Sequence, residues 1–192
     1  MSTSGLIRGS GLAALLGGAL WVVVFAIYAL RASGPGAEPP YRSFEGLGVP
    51  GRLSLLLIAL GFMGLDWPTW RGEGYGWLGW RLGRGLGRVG FGLALLGIFV
   101  IVGSGPSGTV GIIGVVVLMV ASLLVGVAAL LTSVLPRWGA IVLIVGSLTF
   151  FLFDTETARA WCAVPYGVAW IALGYLQWAG RGVELQGPTR AR

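Results

Sequence analysis

Long apolar runs, separated by short stretches that hold most of the charged residues, constrain this chain more than any other feature. A helix needs about 20 apolar residues to cross the hydrocarbon core of a bilayer. Only 10% of the 192 residues are charged, whereas a soluble domain has about 25%. The sequence therefore predicts an all-α integral membrane protein, with a single transmembrane domain over residues 1–192 that is a bundle of about six helices. The predicted spans are about 11–30, 53–67, 86–103, 109–135, 138–153 and 158–179.

The first three spans raise questions of topology. Arg8 ahead of the first run resembles the start of a signal peptide, but the run is longer than the apolar region of a typical leader, and no clean small-residue cleavage site follows it. We interpret it as a retained span. The second and third runs are short for a full crossing. If either one re-enters the membrane instead, the C-terminus moves to the opposite side.

The arginines predict the orientation, because cytoplasmic segments carry an excess of Lys and Arg. With the N-terminus inside, nine of the 13 basic residues fall on inner segments. These are Arg8, Arg71, Arg81, Arg84, Arg88, Arg137, Arg181, Arg190 and Arg192, while Arg31, Arg42, Arg52 and Arg159 fall outside. We therefore expect cytoplasmic N- and C-termini. The Arg, Gly, Ala and Leu bias is typical of a GC-rich bacterium, which would place the protein in a bacterial plasma (inner) membrane.

An arginine is followed nine residues later by a glycine in spans one, three and five. The pairs are Arg8 and Gly17, Arg88 and Gly97, and Arg137 and Gly146. Nine residues of helix rise about 13 Å, which would place each glycine near the middle of a core about 30 Å thick. The pattern fits three diverged antiparallel hairpins. With 35 glycines in the chain, coincidence is the alternative explanation.

Missing residue types exclude several chemistries. The chain has no histidine and no lysine, and Cys162 is its single cysteine. These absences exclude His-ligated haem, a Ser-His hydrolase, a lysine Schiff base and any metal site or iron–sulfur cluster built on several cysteines. We expect no cofactor and no metal. The seven carboxylates fall in loops or at helix ends, so a carboxylate-based enzyme stays open, but we favour a protein that is not an enzyme.

The segment 77–89 is the most distinctive candidate for binding. Arg81, Arg84 and Arg88 follow one another at i, i+3 and i+7, so they share one face if the segment is helical. Such a face would bind anionic lipid headgroups at the cytoplasmic side. The alternatives are an ordinary positive-inside anchor or, because Gly79, Gly83 and Gly87 disfavour a helix, an irregular loop. The net charge of +6 is thus assigned to lipid, with no nucleic-acid partner.

Spans four and six offer two further candidates. Span four has a stripe of small residues, Ser122, Gly126, Ala129 and Ser133, with Gly111 and Gly114 at its start. The stripe predicts close packing within the monomer, with a homo-oligomer or membrane-protein contact as the alternative. In span six, Pro165 predicts a kink. Pro165, Tyr166 and Trp170 would then wall a small apolar pocket, against the alternative of a kinked helix with interfacial aromatic residues.

The stretch Val164-Pro-Tyr-Gly-Val-Ala-Trp170 resembles one helix of the tryptophan-rich sensory (translocator) proteins. The resemblance covers one helix in six, and those proteins have five helices, so no function is transferred. Three functions are compatible with the sequence. The favoured one is a structural, regulatory or accessory membrane component that contacts lipid or a partner protein. The second is a transporter or channel for a small molecule, and the third is a lipid-modifying enzyme that uses Asp66 and Glu73, or Asp154 and Glu156.

Overall fold

A computed structural model describes residues 3–32, 48–69, 76–103, 108–133, 135–150, 152 and 158–179. These residues form six α-helices and one short 3₁₀ helix, and no strand occurs among them. The helices are α1 (Thr3–Ala32), α2 (Gly48–Thr69), α3 (Gly76–Gly103), α4 (Gly108–Thr132), α5 (Arg137–Phe150), the 3₁₀ helix (Ala158–Ala163) and α6 (Val164–Trp178). The predicted all-α class and the predicted number of helices are confirmed for this part of the chain.

Three helices are long and apolar enough to cross a membrane. The apolar stretches are Gly5–Leu30 in α1, Arg81–Ile101 in α3 and Ile113–Thr132 in α4; Val49–Gly64 in α2 and Arg137–Phe150 in α5 are shorter. Large apolar side chains also cover the outside of these helices, and Phe99, for example, is 76% exposed. A helix that is apolar on its packed side and on its exposed side is typical of a membrane protein. In the part of the chain that the structure describes, these features support a helical protein with helices long and apolar enough to cross a membrane.

The helices form a closed ring in chain order. Each helix packs against the next one, α6 packs along α1, and α2 also reaches α6. Neighbours run antiparallel: Gly17 of α1 lies beside Ile58 of α2, whereas Ser10, two turns earlier, lies beside Gly64, which comes later in α2. The same reversal relates α1 to α6. The beginning of α1 and the ends of α2 and α6 therefore meet at one end of the bundle.

Glycines spaced seven residues apart bring α1 and α6 close together. Gly11 and Gly18 of α1 face Gly174 and Gly167 of α6. A Cβ atom on Gly18 would lie 2.6 Å from the carbonyl oxygen of Gly167, and one on Gly167 would lie 2.8 Å from that of Gly18. Small residues let helix backbones approach closely in lipid, where dispersion contacts replace the hydrophobic effect as the driving force. The two pairs therefore fix the shortest distance between these helices.

The sequence places a glycine nine residues after Arg8, Arg88 and Arg137, and each of these glycines contacts the next helix in the chain. A Cβ atom added to each of these glycines would lie between two residues of the partner helix that are four positions, or about one turn, apart. The contacts are Gly17 with Ser54 O and Ile58 N, Gly97 with Gly114 O and Leu118 N, and Gly146 with Pro165 O and Ala169 Cβ, all at 2.8 to 3.1 Å. The same local contact thus joins α1 to α2, α3 to α4 and α5 to α6.

Aromatic rings fill the centre of the ring of helices. The ring centroids of Trp21 and Phe25 lie 4.4 Å apart, and those of Phe62 and Trp170 lie 4.5 Å apart. Trp21 also meets Tyr166 edge-on at 5.6 Å. Such pairs add about 0.5–1.5 kcal/mol each beyond the burial of their area. These rings therefore join α1, α2 and α6 within a core to which all six helices contribute.

Three local features differ from what the sequence predicts. α3 begins at Gly76, ahead of the predicted third span, so the segment 77–89 is helical and the irregular-loop alternative is wrong. Pro165 lies in the first turn of α6 after the 3₁₀ helix, where its missing amide costs nothing, so the proline marks a helix junction instead of an interior kink. Ser133 follows the end of α4 at a φ of 53°, so it leaves the predicted stripe.

Candidate lipid-contact site

The three candidate arginines lie on the first half of α3. Arg81 and Arg88 are exposed, and Arg84 is half-buried. The rise of a helix spreads them over about 10 Å along its axis. The helical face that the lipid-contact prediction requires is therefore present, while binding of lipid to it stays a prediction.

The opposite side of this stretch packs against α4. A Cβ atom on Gly83 would lie 2.6 Å from Cγ2 of Thr132, and one on Gly87 would lie 3.6 Å from Cβ of Ala128. Beside the arginines, Leu82 is 53% exposed and Val89 is 55% exposed. The outward side of α3 therefore presents guanidinium groups next to apolar side chains. Arginine side chains can extend along such apolar surface and keep their charged groups at the headgroup level.

The predicted pocket residues occupy the start of α6. Tyr166 and Trp170 are both fully buried, with ring centroids 6.3 Å apart, and Pro165 is half-buried. Trp170 packs edge-on against Phe62, so neighbouring rings contact two of the three residues that would wall the pocket. The structure brings Tyr166 and Trp170 together in the core; a ligand between them stays a prediction.

A buried hydrogen bond joins α6 to α4. The hydroxyl groups of Tyr166 and Ser122 lie 2.9 Å apart, and Ser122 Oγ also lies 2.8 Å from the carbonyl oxygen of Leu118. Because Ser122 has one proton and gives it to Leu118, Tyr166 donates to Ser122. The indole N–H of Trp170 is buried without a hydrogen-bond partner. The sequence pattern predicts only a packing stripe for Ser122 and gives no sign of this bond, because its partners are far apart in the chain.

Two further polar contacts escaped the sequence analysis. Trp21 Nε1 donates to the carbonyl oxygen of Ala163 at 2.9 Å. At the opposite end of the bundle, Gln177 Nε2 donates to the carbonyl oxygen of Gly61 at 3.4 Å, and its Oε1 lies 3.4 Å from Ser10 Oγ. A lone amide side chain within an apolar span was the available signal, since such residues commonly bond across helices in membranes. Gln177 thus links α1, α2 and α6.

The predicted stripe of α4 packs inside the monomer where the structure describes it. A Cβ atom on Gly126 would lie 2.8 Å from Cγ1 of Ile144 in α5, and Ala129 is fully buried. The close contact with α3 uses Gly114, at the start of the stripe, beside Gly97, and it also uses Ala121, whose carbonyl oxygen lies near Gly90. α4 therefore has small residues on more than one side.

Within the part of the chain that the structure describes, no carboxylate or arginine residue is fully buried, although Nε of the half-buried Arg84 is shielded from solvent. Besides Tyr166, the buried polar residues are Ser10, Ser54, Ser122, Thr132, Ser147 and Gln177. The same part holds no group of three His, Cys, Asp or Glu residues that could bind a metal ion. The side chains of Asp66, Glu73, Asp154 and Glu156, the candidates for an enzyme, lie outside the described residues.

Comparison with known proteins identifies no relative of this chain: no protein family, no curated protein and no solved structure matches it. The class of protein therefore rests on the fold and its surfaces. The described residues form an all-helical fold of six α-helices and a short 3₁₀ helix, and three of the α-helices are long and apolar enough to cross a membrane.

Proposed function

We propose that this chain is a multi-pass protein of a bacterial plasma membrane, with both termini in the cytoplasm. In this proposal it acts as a non-catalytic structural or accessory component, and it contacts anionic phospholipid through Arg81, Arg84 and Arg88. Its six helices, not only the three longest, cross the bilayer. A membrane-protein partner or a second copy would contact the remaining lipid-facing surface.

The outward side of α3 is the observation that carries this proposal. Two exposed arginines lie there next to exposed Leu82 and Val89, while Gly83 and Gly87 hold the other side against α4. An amphipathic arrangement of arginine and aliphatic side chains on one accessible surface fits the boundary between headgroups and acyl chains. Basic residues near a membrane surface contribute about 1 kcal/mol each when the leaflet is anionic.

The interior supports a role in packing and contact rather than in ion-coupled transport. The buried polar groups that the structure describes are hydroxyls, one amide and the indole N–H groups of Trp21 and Trp170, besides Nε of the half-buried Arg84, and most of the hydroxyls donate to carbonyl oxygens of their own helix. Proton- and ion-coupled transporters usually place an ionisable side chain at such depth. Aromatic contacts and close glycine contacts hold the described core together instead.

Lipid that purifies with the protein tests the α3 contact. We expect R84Q/R88Q to retain several-fold less phosphatidylglycerol than the wild type in a mild detergent, because two of the three guanidinium groups are lost. R52Q is the matched control, since Arg52 is also exposed but lies near the start of α2, away from α3's arginines. Equal phosphatidylglycerol in R84Q/R88Q, R52Q and the wild type would remove α3 as the site of contact.

The absence of catalysis is tested separately on the four candidate carboxylates. Alanine at Asp66, Glu73, Asp154 and Glu156 together should leave the lipid composition of the producing cells unchanged. The unmodified protein and an empty vector are compared in parallel. A lipid that accumulates with the wild type and is lost with the quadruple variant would favour the lipid-modifying enzyme instead.

A further inference from the structure

One end of the bundle carries an exposed arginine on every second helix. Arg8 lies on α1, Arg81 on α3 and Arg137 on α5, and all three are exposed. The helices form a ring in chain order, so α2, α4 and α6 separate these positions. The three arginines are thus distributed around the whole circumference, with one in each hairpin.

Contacts made by nearby glycines show that the three arginines lie at a similar height along the axis of the bundle. Gly11, three residues after Arg8, would bring a Cβ atom to 2.6 Å from the backbone nitrogen of Trp178 at the end of α6. Gly83, two residues after Arg81, contacts Thr132 at the end of α4. Gly139, two residues after Arg137, would place its Cβ atom 3.2 Å from Cδ1 of Leu176. Each arginine therefore lies beside the last turn of an antiparallel neighbour.

Exposed tryptophans lie at the same level. Trp138 follows Arg137 directly, and Trp178 ends α6; each is 50% exposed. Tryptophan rings favour the headgroup level on both sides of a membrane. Together, Arg8, Arg81, Arg137, Trp138 and Trp178 form what we call the arginine–tryptophan rim.

Another exposed tryptophan lies at the other end of the helical segment 158–178, far from Trp178. Trp161 in the 3₁₀ helix is 43% exposed. From Trp178 to Val164 the α-helix rises about 21 Å, and three residues of 3₁₀ helix add about 6 Å. Trp161 and Trp178 are therefore about 27 Å apart along the axis, close to the thickness of about 30 Å of a hydrocarbon core. With Trp161 at one boundary of the core, the arginine–tryptophan rim lies at the other.

We propose that the arginine–tryptophan rim is a three-point binding surface for the phosphate groups of anionic phospholipids. This inference rests on the proposed contact with anionic lipid and extends it from one helix to the whole circumference. Arginine suits phosphate mainly because its positive charge attracts the anion, and the N–H groups of its guanidinium add hydrogen bonds. Three contacts, one in each hairpin, hold the bundle upright and direct the end where α1 begins and α6 ends to the anionic leaflet. A single patch on α3 would anchor one side alone.

The test measures lipid preference for the full chain in nanodiscs of phosphatidylcholine with a minority of phosphatidylglycerol. Native mass spectrometry gives the association of phosphatidylglycerol relative to phosphatidylcholine. We expect R8Q/R137Q to lower this ratio by about fivefold for each arginine removed, and R52Q at the opposite end to leave it unchanged. R8K/R137K should keep most of the preference, because lysine also binds phosphate through its charge. Melting temperatures in pure phosphatidylcholine show whether each variant is folded.

This experiment tests the proposed rim and the proposed α3 contact independently of each other. If R84Q/R88Q loses phosphatidylglycerol and R8Q/R137Q does not, the rim is wrong and the α3 contact stands. If neither double variant loses it, both proposals are wrong. An equal loss in R52Q would mean that overall charge, and not the rim, attracts the lipid, and a loss in R8K/R137K as large as in R8Q/R137Q would also overturn the rim.

Discussion

Replacing Gly18 with alanine should force α1 and α6 apart. A Cβ atom at this position would lie 2.6 Å from the carbonyl oxygen of Gly167 and 2.8 Å from the backbone nitrogen of Ile171, whereas ordinary contacts begin at 3.4 Å. Both neighbours are backbone atoms of a packed helix, so a change of rotamer cannot relieve the overlap. The helices must separate by about 0.8 Å, the difference between 3.4 and 2.6 Å.

The cost of that separation can be bounded. A gap of about 0.5–1 Å forfeits a quarter to a half of the dispersion energy of the affected contacts, and overpacking of a core typically costs about 1–3 kcal/mol. Alanine also favours a helix over glycine by up to about 1 kcal/mol, which partly offsets the loss. A matched substitution at a glycine without neighbours removes this second effect from the comparison.

Gly92 is the matched control, because it lies in α3, is exposed, and has no atom within 4 Å of its Cβ position. Equilibrium unfolding in mixed micelles with increasing dodecyl sulfate, followed by circular dichroism, gives the free energy of unfolding. We expect G92A to match or exceed the wild type and G18A to be less stable than G92A by about 1–3 kcal/mol. If the unfolding free energies of G18A and G92A agree within about 0.5 kcal/mol, the close contact between α1 and α6 is refuted.

Other contacts give predictions of the same kind. Y166F should cost about 0.5–1.5 kcal/mol of unfolding free energy through loss of the bond to Ser122, and a double-mutant cycle with S122A should show coupling; additive effects would mean that the bond contributes nothing. W21F should cost more, because it removes the buried hydrogen bond to the carbonyl oxygen of Ala163 and also shrinks a fully buried ring, and a stability equal to the wild type would contradict that. Cys162, half-buried near the start of α6, should react with a membrane-impermeant maleimide only from outside the cell, so labelling from the cytoplasm alone would reverse the proposed orientation.

The helices were predictable because the bilayer limits the sequence so strongly. Apolar runs with charges between them leave few alternatives to helices, and six helices occur in the described part. The start of α3 was less clear, since Gly79, Gly83 and Gly87 each weaken a helix locally. Packing decides the matter there: Gly83 lies against Thr132 and Gly87 lies near Ala128. Tertiary contact thus outweighs local propensity.

The polar contacts of the core were not predictable, because they depend on which helices become neighbours. Ser122 and Tyr166 are 44 residues apart, and Ser10 and Gln177 are 167 residues apart. Nothing in the local pattern around Ser122 distinguishes a serine that accepts a bond from tyrosine from one that only allows close packing. Such contacts can be predicted only once the order of the helices around the ring is known. The arginine candidates were easier to find, since their spacing on one helix is a local property.

The order of helices around the ring has a counterpart in the sequence of α1. Ser10 and Gly17 face α2, and the residues that follow each of them, Gly11 and Gly18, face α6. Successive residues of a helix point about 100° apart, which is close to the angle between the two neighbours of one member in a ring of six. Two small-residue stripes in adjacent positions therefore prepare α1 to pack closely on both sides at once.

The same geometry suggests a way to separate the two interfaces of α1. Alanine at Gly17 would overlap Ser54 O and Ile58 N of α2 at 2.8 to 2.9 Å, whereas alanine at Gly18 would overlap α6. Both substitutions add one methyl group to the same turn of the same helix, so a difference between them reflects the partner helix alone. Each partner helix also meets α1 two turns away, α6 through the pair of Gly11 and Gly174 and α2 through the pair of Ser10 and Gly64. Neither partner can therefore pivot away from the added methyl group without losing a second close contact.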